Sequence, residues 1–495
     1  MSCEAASTNS RFVWPLVTSS LLVLLLLPAA GQKKLFCYYG SESQYRTYPG
    51  RFMPDNIDVT LCTHVIFAFA DIRDNKLTSQ NWNDLGTTGL YTQVTRLKTT
   101  RPSLKILLAV GGWVAGYRPF APAVRTNKSM TEFVDNVISY LRGYGFDGLD
   151  MDWEFPGVRG SPPADKHAFT RLMKLMYNKF LEESIKSGRE RLLLTMAAAV
   201  GIAFIEAAYE ATEIHKYVDY MLLMTYNFHG GWDNFTSHHS TMFPGQFDQG
   251  EDRWLCQNWA LNYWLFMGVP RSKILLGESM FLLRSKILLG ESMFLPRSKI
   301  LLGLATYGMT FTLVDEKNNG LRAPALGGGN GGRYTRQNGI LAFYEICENL
   351  QHHNWTNHWI EDQQVPYTTK GDQWVGYDDV KSIRIKAERL INGYGLAGAF
   401  VWSVELDDFN GYCGGGKYPL LRAINDVIRP RNQSGAELPE PVFTQPQLPT
   451  PVSPSAKCQQ LGTGLYKHEP SCRWYIICTQ VAGVWGLRTG HLQLS

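Results

Sequence analysis

Short apolar runs alternate with longer amphipathic stretches through most of the chain. The runs cover residues 34–39, 64–70, 105–110, 145–153, 192–199, 217–226, 299–307 and 398–404. Between them, residues 91–99, 129–144, 164–187 and 382–393 carry apolar side chains at helical spacing. Eight short strands alternating with helices over about 400 residues predict a parallel (β/α)8 TIM barrel of the α/β class. Polar and aromatic residues follow the runs directly: Gly111-Gly112-Trp113, Glu154-Phe155, Tyr226-Asn227, Tyr307-Gly308 and Trp402. Their position puts them at the C-terminal mouth of the barrel, where such folds hold their sites.

One run breaks the apolar rule. In Phe146-Asp147-Gly148-Leu149-Asp150-Met151-Asp152-Trp153-Glu154 three acids alternate with Leu149, Met151 and Trp153. A period of two puts Asp150, Asp152 and Glu154 on one face of a strand and the apolar residues on the other. Close carboxylates repel and burial strips their hydration, so at least one pKa rises. Glu154 ends the row beside the turn Phe155-Pro156-Gly157, where a raised pKa suits a general acid. The row does not fit a calcium loop, which needs Gly at its sixth position and Glu at its twelfth, and no metal is expected.

The remaining features organise the chain around this core. Residues 1–31 read as a cleaved signal peptide: Arg11 precedes an apolar run, and Ala29 and Gly31 suit cleavage. An uncleaved anchor is the alternative, because the run is nearly long enough to span a membrane. Secretion makes disulfides the default reading of the eight cysteines left after Cys3, and four sequons, at Asn127, Asn234, Asn354 and Asn432, are compatible with glycosylation. The net charge is +4, with no basic run to suggest nucleic acid. A heptapeptide starting at Arg271 recurs at Arg284 and Arg297. So short a unit makes no solenoid, and residues 271–296 read as a duplication or gene-model error, with the third copy serving as the barrel strand. Residues 430–457 are a Pro-rich linker, and 458–495 hold Cys458, Cys472 and Cys478, three cysteines that cannot all pair among themselves.

Several motifs together resemble family 18 glycoside hydrolases, the chitinases and chitinase-like lectins. The acidic run resembles the family's DxxDxDxE signature, Ala109–Trp113 its SxGG strand, and Met224-Thr225-Tyr226-Asn227-Phe228-His229-Gly230 its MTYDxHG segment. Tyr344-Glu345-Ile346-Cys347, Trp374-Val375-Gly376-Tyr377-Asp378 and Val401-Trp402-Ser403-Val404-Glu405-Leu406-Asp407-Asp408-Phe409 match in the right order. The resemblance spans about residues 33–428 and is closest to animal secreted chitinases. The tail is similar to the first half of a peritrophin-type chitin-binding module.

The resemblance implies a monomeric secreted chitinase acting on chitin and chito-oligosaccharides, with no cofactor and no nucleic-acid or membrane partner once the signal is cleaved. It implies retaining hydrolysis in which the substrate's own acetamido oxygen attacks the anomeric carbon. Glu154 would protonate the leaving oxygen. Asp152 would hold the acetamido N–H, Asp150 would share a proton with Asp152, and Tyr226 would donate to the acetamido group. Trp402 would floor the reacting sugar, and Trp113, Trp82 and Trp232 would extend a stacking groove. Tyr38, Phe69, Gly112, Met224, Asn227 and Tyr307 would line the same groove, with Asp147 structural. Disulfides Cys37–Cys62 and Cys347–Cys413 are implied, leaving Cys256 unpaired, within a barrel domain over 32–429 that carries an α+β insertion at 309–380. The chain departs from the family at Asn227, usually Asp; Glu42, usually Trp; Met309, usually Arg or His; and Glu405, usually Asp. These departures favour the rival expectation, a chitin-binding lectin with little catalysis, whereas Glu154 favours an enzyme.

Overall fold

Helix Asn127–Tyr144 shows how pattern becomes structure. Thr126 caps its first turn by accepting from the Ser129 N–H, and Gly145 ends it at φ 77°, where a side chain would be strained. Met130, Phe133, Val134, Val137 and Leu141 fall on one stripe and are buried. The chain then turns through Phe146 into the acidic strand. Asp147 fixes where that strand starts: its carboxylate accepts from the Ile106 N–H at 2.7 Å and pairs with Lys98 at 3.0 Å.

The computed structural model describes residues 33–267 and 295–429, together with three further strands, Gly464–Lys467, Trp474–Val481 and Val484–His491, which pair as an antiparallel sheet. The strands of the main body are β1 (Lys34–Gly40), β2 (His64–Arg73), β3 (Lys76–Ser79), β4 (Lys105–Gly111), β5 (Gly148–Asp152), β6 (Leu193–Ala198), β7 (Tyr220–Leu223), β8 (Ile300–Ala305), β9 (Tyr307–Leu313), β10 (Ala325–Gly328), β11 (Ile340–Ala342), β12 (Thr356–Ile360), β13 (Val365–Lys370), β14 (Gln373–Gly376) and β15 (Gly398–Trp402). Eight of them run parallel in the order β1-β15-β8-β7-β6-β5-β4-β2, and pairing of β1 with β2 closes the ring. This is the expected (β/α)8 barrel. β3 adds an antiparallel edge to β2.

Two expected runs are cut short. The run 217–226 keeps only Tyr220–Leu223 as strand, because the Thr225 and Tyr226 N–H groups donate back to the Leu223 and Met224 carbonyls instead of to a neighbouring strand. The run 299–307 divides at Thr306, whose N–H and hydroxyl are held by the carbonyls of Trp402 and Ser403. Tyr307 therefore opens a second, antiparallel sheet, β10-β9-β14-β13-β12 with β11 on β9. With helix Phe343–His352 it occupies 307–376, against the expected 309–380. The helix expected at 382–393 begins at Val380 and widens into a π-helical turn over Ala387–Asn392. Disulfides join Cys37 to Cys62 and Cys347 to Cys413, and Cys256 is free and buried. The expected signal (1–31), all of the duplicated segment but Leu295 and Pro296, and the linker (430–457) lie outside the described residues, as does most of the cysteine-bearing tail apart from the strands named above.

A buried ion pair ties β14's exit to the barrel. Lys386 and Asp378 are fully buried and 2.6 Å apart. The Ser382 and Ser240 hydroxyls donate to the two Asp378 oxygens at 2.7 and 2.6 Å, and Lys386 also donates to Ser240. Burial pushes Lys386 below its ordinary pKa. Burial would raise Asp378, but the charges of Lys386 and His238 outweigh it and hold the acid low. The two shifts disagree about what the pair is worth. The complete set of hydrogen bonds argues for an ionised pair, because every lone pair and proton has a partner. Asp378→Ala would strand a buried ammonium and should cost about 3–5 kcal/mol in urea unfolding, whereas a loss below about 1 kcal/mol would mean that the pair is not charged.

Candidate active site

β5 points its acids into the barrel. Asp150 is completely buried. The Tyr38 hydroxyl reaches it from β1, on the far side of the ring, and donates at 2.5 Å. The Thr195 hydroxyl donates to its other oxygen from β6, where Thr195 is the register partner of Asp150. Burial pushes the Asp150 pKa up to about 6, against the pull of these two donors. Each Asp150 oxygen thus accepts from one hydroxyl. Asp152 is buried, and its Oδ1 has no partner. Burial first, then the charges of Glu154 and Asp150, hold its pKa well above the usual carboxylate range. Glu154 lies just past the strand, half-buried. Burial raises it to about 7, and the Arg159 guanidinium opposes the rise. Three such acids cannot all be ionised together, so the row holds protons at neutral pH.

Aromatic side chains enclose the row. Trp402 closes β15 beneath it, tilted against Tyr38 at 5.1 Å and stacked on Phe69 at 5.8 Å. Gly112, at φ 84°, donates its N–H to the Asp152 carbonyl at 2.8 Å; a Cβ there would meet Phe69 at 2.8 Å. Tyr226 packs edge-on against Tyr307 and Phe400, and Met224 is half-buried beside it. Burial raises the Tyr226 hydroxyl's pKa, as do Tyr307 and all three acids, so it remains a donor. The Tyr307 hydroxyl donates to Asn227 Oδ1 at 2.6 Å. Trp113, Trp232 and Trp82 stand at the rim, 59%, 64% and 86% exposed. The Arg159 guanidinium lies 3.4 Å from the Trp113 ring centroid and donates to the Trp113 and Glu154 carbonyls. Glu405, the fourth departure, reaches Gly40 N–H, the Ser403 hydroxyl and Arg46, locking the end of β15 to the end of β1.

Residues 34–407 match the profile of Glycosyl hydrolases family 18. The chain belongs to that family. Mouse Chitotriosidase-1 is 38% identical over 94% of this chain and 94% of its own. Human Chitinase-3-like protein 2 is 36% identical over 85% of this chain and 98% of its own. Among solved structures, Human YKL-39, described as a pseudo-chitinase with retained chitooligosaccharide binding, superposes with a TM-score of 0.70 at 36% identity over 80% of this chain and 99% of its own. The Group IV chitinase of Ostrinia furnacalis in complex with allosamidin superposes at 0.71, 32% identical over 80% and 98%. Family 18 thus includes both a chitinase and a pseudo-chitinase at similar distance from this chain.

The barrel brings Asp150, Asp152, Glu154, Tyr38, Tyr226 and Trp402 together; the three rim tryptophans share no ring contact with them. Two neighbours escape a reading of the sequence. Thr195 is one hydroxyl inside an apolar strand, and only its register reveals the bond to Asp150. Arg159 follows the Pro156-Gly157 turn with φ 52°, and the fold alone brings it over Trp113. Among the described residues no group of His, Cys, Asp and Glu could hold a metal ion. The Arg159 charge favours ionised Glu154, so removing it should raise the Glu154 pKa. Carbon-13 NMR titration should place Glu154 near 7 and move it upward in Arg159→Ala; an unmoved or lower value would separate the two residues.

Proposed function

We propose that this family 18 protein is a secreted, monomeric chitinase that hydrolyses β-1,4 bonds between N-acetylglucosamine residues. The observation that carries the proposal is Glu154: a half-open carboxyl, protonated up to about pH 7, at the head of a buried acidic row. Glu154 gives its proton to the glycosidic oxygen as the bond breaks. The leaving sugar departs and the substrate's acetamido oxygen closes on C1, forming an oxazolinium ion. Asp152 accepts the acetamido N–H and balances the cation. Asp150, tied to Tyr38 and Thr195, supports Asp152 from behind. The Tyr226 hydroxyl donates to the acetamido oxygen, and Trp402 stacks under the ring. Glu154, now ionised, takes a proton from water, which opens the oxazolinium with retention.

The rival reading, a chito-oligosaccharide-binding lectin with weak catalysis, draws on Asn227. Its amide lacks the charge that an Asp would place beside the oxazolinium, and Glu42 offers no ring for stacking. Glu154 favours hydrolysis nonetheless, because losing one auxiliary group lowers a rate without abolishing it.

The purified protein should hydrolyse a fluorogenic chitobioside, and Glu154→Gln should be slower by about 10²–10⁴-fold. Equal inactivity of both proteins, with oligosaccharide binding intact, would establish the lectin. Activity should fall as pH rises through about 7, where Glu154 loses its proton. Asn227→Asp should raise kcat and carry that falling limb to higher pH, because added negative charge disfavours ionised Glu154. A limb moving to lower pH would contradict this placement of Asn227.

A further inference from the structure

The loop that follows β7 buries two adjacent histidines, His238 and His239, leaving neither any exposed surface. His238 is pinned by the backbone. The Ser240 N–H donates to its Nδ1 at 3.1 Å, so its Nε2 carries the proton and donates to the Tyr377 carbonyl at 2.9 Å. Tyr377 precedes Asp378, whose ion pair with Lys386 anchors the same region. His239 is different, because neither of its ring nitrogens has a hydrogen-bond partner. Burial first, then the neighbouring His238, hold its pKa well below the ordinary histidine value, so the ring is neutral. Its faces are engaged instead. The ring stacks on His238 with centroids 5.4 Å apart and packs against Tyr307 at 5.1 Å.

Tyr307 carries this contact into the cleft. Its hydroxyl donates to Asn227 Oδ1 at 2.6 Å, and its ring meets Tyr226 edge-on. Asn227 depends on such a hold. Its φ is 56°, in the left-handed region, and the residue is exposed, so packing alone does not fix its amide. With the Tyr307 hydrogen on Oδ1, the amide's NH2 is the end left for a ligand. His239 also braces the backbone here: its carbonyl accepts from the Phe228 N–H at 2.9 Å, one residue after Asn227. A single buried residue therefore supports both the side chain and the main chain that set Asn227.

We infer that His239 is a positioning residue for the cleft: its ring fixes Tyr307, and Tyr307 aims the Asn227 amide at the bound sugar. Positioning of this kind rests on the proposed reading of the cleft as a chito-oligosaccharide site, whether or not the bond is cleaved. The imidazole acts as a flat, neutral support and not as a charge or a proton carrier. The column of His238, His239 and Tyr307 then links the buried Asp378–Lys386 region to the acetamido side of the site.

Calorimetric binding of tetra-N-acetylchitotetraose to the full-length Glu154→Gln protein, in which turnover is suppressed, tests this. His239→Ala and, with less disturbance of packing, His239→Leu should each weaken binding about fivefold. His239→Phe, which keeps a ring and drops the two unpaired nitrogens, should recover most of that affinity. Tyr307→Phe should weaken binding by a similar factor. Adding His239→Leu to Tyr307→Phe should then change affinity by less than about twofold, because the hydroxyl that connects the ring to Asn227 is gone. The His239 carbonyl is present in every variant, so the cycle reads the ring alone. A merely structural role would weaken binding by the same factor with Tyr or Phe at 307. Such additivity, binding unchanged in His239→Leu, or His239→Phe as weak as His239→Leu would overturn the inference. Absence of oligosaccharide binding in the Glu154→Gln protein itself would overturn the saccharide reading of the cleft, and this role with it.

Discussion

The mutual repulsion of Asp150, Asp152 and Glu154 on the inward side of β5 fixes what the surrounding barrel must supply. Buried carboxylates repel more strongly than solvated ones and lose their hydration. The fold answers each acid differently. Asp150 receives two hydroxyl donors and titrates near 6, Asp152 has no such donor on its Oδ1 and is held well above the usual carboxylate range, and Glu154 opens to the cleft with Arg159 nearby and titrates near 7. One chemical group thus has three environments along a single strand. In the proposed reaction that gradient separates the proton donor from the groups that steady a cation.

Support for the row is spread around the ring. Tyr38 comes from β1, Thr195 from β6, Tyr226 from the end of β7 and Trp402 from β15. A closed barrel suits this, because its strand ends converge on one mouth whatever their separation in sequence. Gly112 belongs to the same economy of space: its φ and the nearness of Phe69 leave no room for a side chain.

Much of this was legible because strands have a period of two. The acidic row announces its shared face, and the apolar runs announce the ring. Legibility failed where the backbone leaves the strand while apolar residues continue. Met224 and Tyr226 extend the pattern of β7 although the chain has already turned. Tyr307 looks like the end of β8 but starts another sheet, because Thr306 is anchored to Trp402 and Ser403. The two hydroxyls on Asp150 are equally hidden in the sequence, because the approach of Tyr38 and Thr195 depends on barrel closure and register. Arg159 is invisible for a similar reason, since nothing local tells that a loop arginine will cover a tryptophan on another loop.

Family membership leaves one question open, because family 18 includes both chitinases and a pseudo-chitinase. Asn227 and Glu42 are the residues that favour a lectin, whereas Glu154 and its raised pKa favour an enzyme. The claim that the substrate's own acetamido oxygen attacks C1, with Glu154 as acid and then base, is tested most directly by proton NMR of the sugar released first from a chito-oligosaccharide. The β-anomer should appear before mutarotation, and Glu154→Gln should release neither anomer at a comparable rate. Initial release of the α-anomer, or release that does not depend on Glu154, would contradict it.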